Sequence, residues 1–137
     1  MNHLKKPKKY LGEEVEEIYQ QFIIELYKNP LNFGRIENPN YQATLNNTTC
    51  GDQIELFIKV KEEMIQQAKF IGRGCAISQA SASLFAGFLK GKKIAELEKI
   101  TKDDVLKLIK IDLSKNPSRM KCALLVFETM KKAINKE

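Results

Sequence analysis

Cys50-Gly51-Asp52-Gln53-Ile54-Glu55-Leu56-Phe57-Ile58-Lys59-Val60-Lys61 places apolar residues at every second position: Ile54, Leu56, Ile58 and Val60. That is the period of a strand with one buried face. Upstream, Tyr41, Ala43 and Leu45 alternate in the same way. Downstream of Glu62-Glu63 the alternation continues through Met64, Ala68 and Phe70. Three short strands joined by tight turns predict an antiparallel meander. Glu55, Lys59 and Lys61 fall on the other face, which is expected to be mostly wet.

On either side of this meander the apolar period is that of a helix. Val15, Ile18, Tyr19, Phe22, Ile23, Leu26 and Tyr27 form one stripe, opened by Glu13, Glu14, Glu16 and Glu17, whose charge suits a helix N-terminus, and stopped by Asn29-Pro30. A loop rich in asparagine and proline follows to Asn40. After the sheet, Ile77, Ala80, Ser81, Leu84, Phe85, Phe88 and Leu89 form a second stripe ended by Gly91. Thr101-Lys102-Asp103-Asp104 reads as a capping box for a short helix through Ile109. Asn116-Pro117 opens the last helix, with Cys122, Leu125, Val126, Met130 and Ala133 on one side. The expected fold class is α+β, a small three-stranded antiparallel sheet with helices packed on one face. Residues 1–10 read as a basic flexible tail and residues 11–137 as a single domain.

The chain has 137 residues, 43% hydrophobic and 29% charged, close to average globular usage. This excludes low-complexity and collagen-like chains. The longest apolar run, Cys122 to Phe127, falls far short of the roughly 20 residues of a membrane helix, so no membrane association is expected. Met1 to Tyr10 has charge but no apolar core, unlike a secretory signal. The net charge is +6, but the lysines are dispersed apart from Lys5-Lys6-Pro7-Lys8-Lys9. The expectation is solvated faces, with no nucleic acid partner. Three cysteines, an odd count, argue for free thiols in a reducing, cytoplasmic compartment.

Few residues remain to carry chemistry, and the topology gathers them. Strand two, Gln53 to Lys61, and strand three, about Met64 to Gly72, run antiparallel, so the end of the third lies level with the start of the second. Cys50 and Asp52 just before that start, and Cys75 just after that end, meet at one end of the sheet. Gly51, Gly72 and Gly74 flank them and permit close backbone approach. Cys75 opens a helix and Cys122 lies near the start of another, a setting that favours thiolate, the metal-binding form. Arg73, Arg119 and Lys121 would add to this. A lone cysteine is commonly a small buried apolar residue. That reading suits Cys122 within Cys-Ala-Leu-Leu-Val-Phe and suits Cys50, in a polar turn, poorly. Asp52 as a plain turn residue is the competing reading for Cys-Gly-Asp. His3, in the tail, is incidental.

Taken together these residues resemble the iron–sulfur cluster assembly scaffolds of the IscU, SufU and NifU N-terminal type. The resemblance runs from about Val15 to Ile134. It rests on Asn29-Pro30-Leu31-Asn32-Phe33-Gly34, on Cys50-Gly51-Asp52, on Gly74-Cys75-Ala76-Ile77-Ser78 followed by Ala80-Ser81-Ala82-Ser83, and on Arg119-Met120-Lys121-Cys122-Ala123. It implies that Cys50, Asp52, Cys75 and Cys122 are ligands of a nascent 2Fe-2S cluster, or of zinc in its absence. It also implies a cysteine desulfurase as sulfur source and apo iron–sulfur proteins as recipients, and it is compatible with a homodimer. Lys121-Cys122 follows the SufU type, whereas the 46 residues between Cys75 and Cys122 are short for that type. Lys115-Asn116-Pro117-Ser118-Arg119 departs from the chaperone-recognition stretch of the IscU type.

The donor set agrees with this. Three soft thiolates select iron–sulfur or zinc over hard ions. Asp52 in place of a fourth thiolate leaves one labile corner, suited to a scaffold that releases its cargo. The leading expectation is therefore a scaffold and carrier without turnover, and no catalytic residue. The second is a zinc-dependent sulfur acceptor, a sulfurtransferase in which Cys122 takes sulfur from the desulfurase. The third is a structural zinc-binding module.

Overall fold

The computed structural model describes residues 20–48 and 50–135. The basic tail and the acidic start of the first helix lie outside the described residues. Residues 20–28 are helical (α1). Three strands follow, β1 (Tyr41–Asn47), β2 (Asp52–Lys61) and β3 (Met64–Arg73). Helix α2 (Ala76–Leu89), a 3-10 turn over Ile94–Lys99, α3 (Lys102–Ile109) and α4 (Pro117–Asn135) complete the fold. The sheet order is β1-β2-β3, antiparallel throughout, as the alternation predicts. Helix α4 lies against β1 and β2, and α2 lies against β3 and α4.

The inner face of the sheet buries Ile54, Leu56, Ile58 and Phe70 against Phe85, Leu89, Leu125, Val126 and Met130. A smaller cluster on the far side of α2 and α4 joins Ile23 and Leu26 of α1 to Ile77, Ala80, Ile109, Leu113, Cys122 and Ala123. Helix α2 is thus buried nearly all round, which explains why small residues crowd it: Ala80, Ala82, Ser81 and Ser83 are all buried there. Each large apolar side chain buried in these clusters contributes about 1.5–3 kcal/mol.

Helix starts follow the sequence signals. Thr101 caps α3 with a reciprocal capping box to Asp104. The Asn116 side chain accepts from the Arg119 N–H at the mouth of α4. The 3-10 turn carries no strong periodic signal; it seats the buried Leu97.

Two expectations about the sheet are corrected. Met64 does not continue the buried row: it is 39% exposed, while Ile65 is 2% exposed. A β-bulge between Lys59 and Val60 pairs Val60 with Ile65 and Lys59 with Gln67, so one extra residue shifts the phase of β3. The outer face is also less wet than its charges suggest, since Phe57 is only 2% exposed. The segment after α1 pairs with the free edge of β3 at Phe33 and Phe70, then reaches the opposite edge, where the Asn40 N–H donates to the Ile58 carbonyl. On its way across the outer face it sets Arg35 over the Phe57 ring at 5.8 Å, and the Lys59 ammonium donates to the Asn38 carbonyl. The crossing covers the centre of the face and protects the β3 edge from pairing with another chain.

Candidate metal centre

The β1–β2 turn presents the first candidate ligand. Gly51 takes φ +74°, and the Cys50 and Gly51 N–H groups both donate to the Asn47 carbonyl, at 3.2 and 2.8 Å. This tight turn leaves Cys50 exposed. Asp52, the first residue of β2, is 1% exposed. Its Oδ1 accepts from the Cys75 N–H at 2.7 Å, which ties the β1–β2 turn to the N-cap of α2. Its Oδ2 is buried without a hydrogen-bond partner among the described residues. A buried carboxyl oxygen left without a partner costs about 1–3 kcal/mol or more, and calls for a cation or donor to complete it.

One ligand atom each from Cys50, Asp52 and Cys122 lies within 4.8 Å of the others. Cys75 stands outside that tight group, yet it lines the same cleft and its sulfur acts on the ionisation of Cys122. Cys50 and Asp52 thus meet Cys122 of α4 in the tight group, while Cys75 reaches the same end of the sheet through its N–H to Asp52. The cleft above them is open, about 620 Å³, and is bordered by Ile23 of α1, Leu113, Asn116 and Arg119. The donor set fits a thiophilic ion or cluster: three sulfurs, one of them exposed, and a carboxyl oxygen with an unused lone pair.

The thiol of Cys122 departs from the expected electrostatics. Cys122 is the sixth residue of α4, beyond the unpaired N–H groups of the first turn, and it is 2% exposed. Burial pushes its pKa up, and the neighbouring Asp52, Cys50 and Cys75 side chains push in the same direction. Arg119 lines the cleft but does not outweigh them. A cation in the site would reverse this balance, because a bound metal ion deprotonates its thiol ligands.

Gly74 is required by the approach of these segments. Its φ is +121°, and a Cβ there would collide with Asp52 Oδ1 and lie 2.7 Å from Asp52 Cα. Gly74→Ala is expected to displace Asp52, to destabilise the fold by about 1–3 kcal/mol and to abolish tight metal binding. Thermal unfolding and a metal titration of the variant check this, and unchanged values for both would refute it.

One residue at the site carried no signal as a ligand. The Asn47 side-chain N–H donates to the Cys122 sulfur at 3.9 Å. Its position at the end of β1, paired with Asp52, marks it only once the strand register is known.

The NifU-like N terminal domain family matches residues 18–136. The zinc-dependent sulfurtransferase SufU of Bacillus subtilis is 37% identical over 138 aligned positions, spanning 90% of this chain and 93% of its own. The iron–sulfur cluster assembly scaffold protein IscU of Thermotoga maritima is 33% identical, over 87% of this chain and 94% of its own. Among solved structures, a protein assigned as a cluster assembly scaffold of the SUF system of Fervidobacterium islandicum superposes with a TM-score of 0.72 at 29% identity. That match covers 86% of this chain and 97% of the other.

Proposed function

The chain belongs to the NifU-like N terminal domain family and has the sequence and fold of an iron–sulfur cluster assembly scaffold, and from that premise we propose that Cys50, Asp52, Cys75 and Cys122 hold the cargo. The cargo is a 2Fe-2S cluster, built from iron and sulfur supplied by a cysteine desulfurase and passed to apo iron–sulfur proteins. The buried Asp52 Oδ2, unpartnered among the described residues and beside the sulfurs of Cys50 and Cys122, carries this reading. An open cleft above the ligands suits a cargo that enters and leaves. Free thiols suit a reducing, cytoplasmic setting. No described helix is long and apolar enough to cross a membrane.

Anaerobic reconstitution with iron and sulfide tests the proposal. Visible absorption from thiolate-ligated iron is the expected result, and a protein that takes up zinc but develops no such absorption would overturn it. A structural zinc module is disfavoured by the larger apolar cluster, which packs α2 and α4 on the sheet without any of the four candidate ligands.

A second reading, the zinc-dependent sulfur acceptor, is favoured by the match to SufU and by Lys121-Cys122. There, with zinc held at the site, one cysteine attacks the outer sulfur of a desulfurase persulfide and the desulfurase thiolate leaves. Cys122 as acceptor must first emerge from burial, whereas Cys50 is exposed as it stands. Sulfur transfer from a desulfurase to the zinc-loaded protein, mapped by mass spectrometry of the cysteines, separates this reading from the first.

A further inference from the structure

We propose that Asn47 is a positioning residue for Cys122, its side-chain amide holding the Cys122 sulfur toward Cys50 and Asp52 so that the ligand of α4 closes the site. This rests on the metal-centre reading above. Asn47 is the last residue of β1 and faces Asp52 across the ladder. Its carbonyl accepts from both Cys50 N–H and Gly51 N–H, so its backbone fixes the turn that presents Cys50. Its side chain bridges 75 positions of sequence to the Cys122 sulfur at 3.9 Å, within reach for an N–H donor to a large, diffuse acceptor. One residue thus links the ligand of the turn to the ligand of the helix. At the other end of the same contact, the Lys132 ammonium donates to the Thr44 carbonyl, so α4 is pinned to β1 at two points.

An N–H donated to a metal-bound sulfur lowers the energy of its lone pairs and fixes its direction. Partners of this kind typically shift metal affinity by about 10–100-fold. They also raise the energy of thiolate-to-metal charge transfer, which mere packing does not.

Cobalt(II) bound to the full chain is the probe. Asn47→Ala removes the donor, and Asn47→Asp keeps the shape while replacing the donor by an acceptor. Both are partly exposed at a strand end, and far-UV circular dichroism verifies folding. Relative to wild type, both are expected to shift the sulfur-to-cobalt band to longer wavelength and to weaken cobalt binding about 10–100-fold. Asn46→Ala, at the neighbouring exposed position, should leave band and affinity unchanged. A wild-type band that is reproduced unshifted in both variants overturns the proposal, even if binding weakens, because Asn47 then acts on packing alone. Absence of a sulfur-to-cobalt band in the wild type itself is a different failure: it removes the metal-centre reading and the inference with it.

Discussion

Cys50→Ser, Cys75→Ser and Cys122→Ser should each lose about two orders of magnitude in metal affinity while the fold survives. A four-ligand site worth about 10–16 kcal/mol loses roughly a quarter of that, about 3 kcal/mol, with one thiolate. Competition against a coloured chelator measures the loss. Stability should separate the Cys50 and Cys122 variants. Cys50 is exposed, so its variant should melt with the metal-free wild type; Cys122 is buried, so its serine hydroxyl should cost about 1–3 kcal/mol. Affinity should also rise with pH, because burial holds the Cys122 thiol neutral in the metal-free state and the metal must displace that proton. The sign for stability is the reverse. A thiol whose pKa is raised on folding keeps its proton while the unfolded chain loses its own above the ordinary value of about 8.5, so the metal-free protein should weaken as pH rises past that point. Three variants that bind metal with wild-type affinity would show that the site lies elsewhere.

Survival of the fold in those variants is expected because the larger cluster on the sheet contains none of the four candidate ligands, although Cys122 belongs to the smaller cluster and Cys75 packs against it. Ile54, Leu56 and Ile58 repeat with a period of two, so their burial was legible from the sequence alone, and it sets β2 in place. Once β2 and β3 are antiparallel, the proximity of Cys50, Asp52 and Cys75 follows from chain direction, without any side-chain detail. Cys122 was harder. It arrives on a helix with no local constraint pointing it at the sheet end, and only the family resemblance joined it to the others. Its electrostatics differ from the helix-start expectation because burial, which no local pattern shows, has the largest effect on its thiol, and the sixth position of α4 lies beyond the unpaired N–H groups of the first turn. The bulge at Lys59 and Val60 was invisible because Ile65 and Met64 are both apolar, and hydrophobicity cannot choose between adjacent phases. The path of the loop over Phe57 depends on the edge of β3, a contact between residues distant in sequence. Asn47 was hidden for the same reason, since its donor meets a sulfur 75 positions away.

Asp52→Ala should slow cluster transfer to an apo-ferredoxin by about tenfold, equivalent to about 1.4 kcal/mol in the barrier, and change folding little. The carboxyl has two jobs that the structure separates by atom. Oδ1 accepts from the Cys75 N–H and holds the two segments together, whereas Oδ2 is buried and has no partner among the described residues. Truncation orphans one N–H, at about 1–3 kcal/mol, but also removes a buried polar atom that lacks a partner, and the two costs offset in the metal-free protein. In the loaded protein nothing offsets the loss. As the proposed ligand, Asp52 would offer a hard oxygen beside three soft sulfurs, the member of the set most readily displaced by an incoming thiol. Without it the cargo sits among thiolates that exchange slowly. Asp52→Asn supplies the control, since it can keep the acceptor for Cys75 while surrendering the charge. It should melt with wild type and transfer slowly with the alanine variant. Circular-dichroism kinetics of the cluster follow both processes. Faster cluster decay in the variants would make Asp52 a holding ligand, and rates equal to wild type in transfer and decay would reduce it to a turn residue.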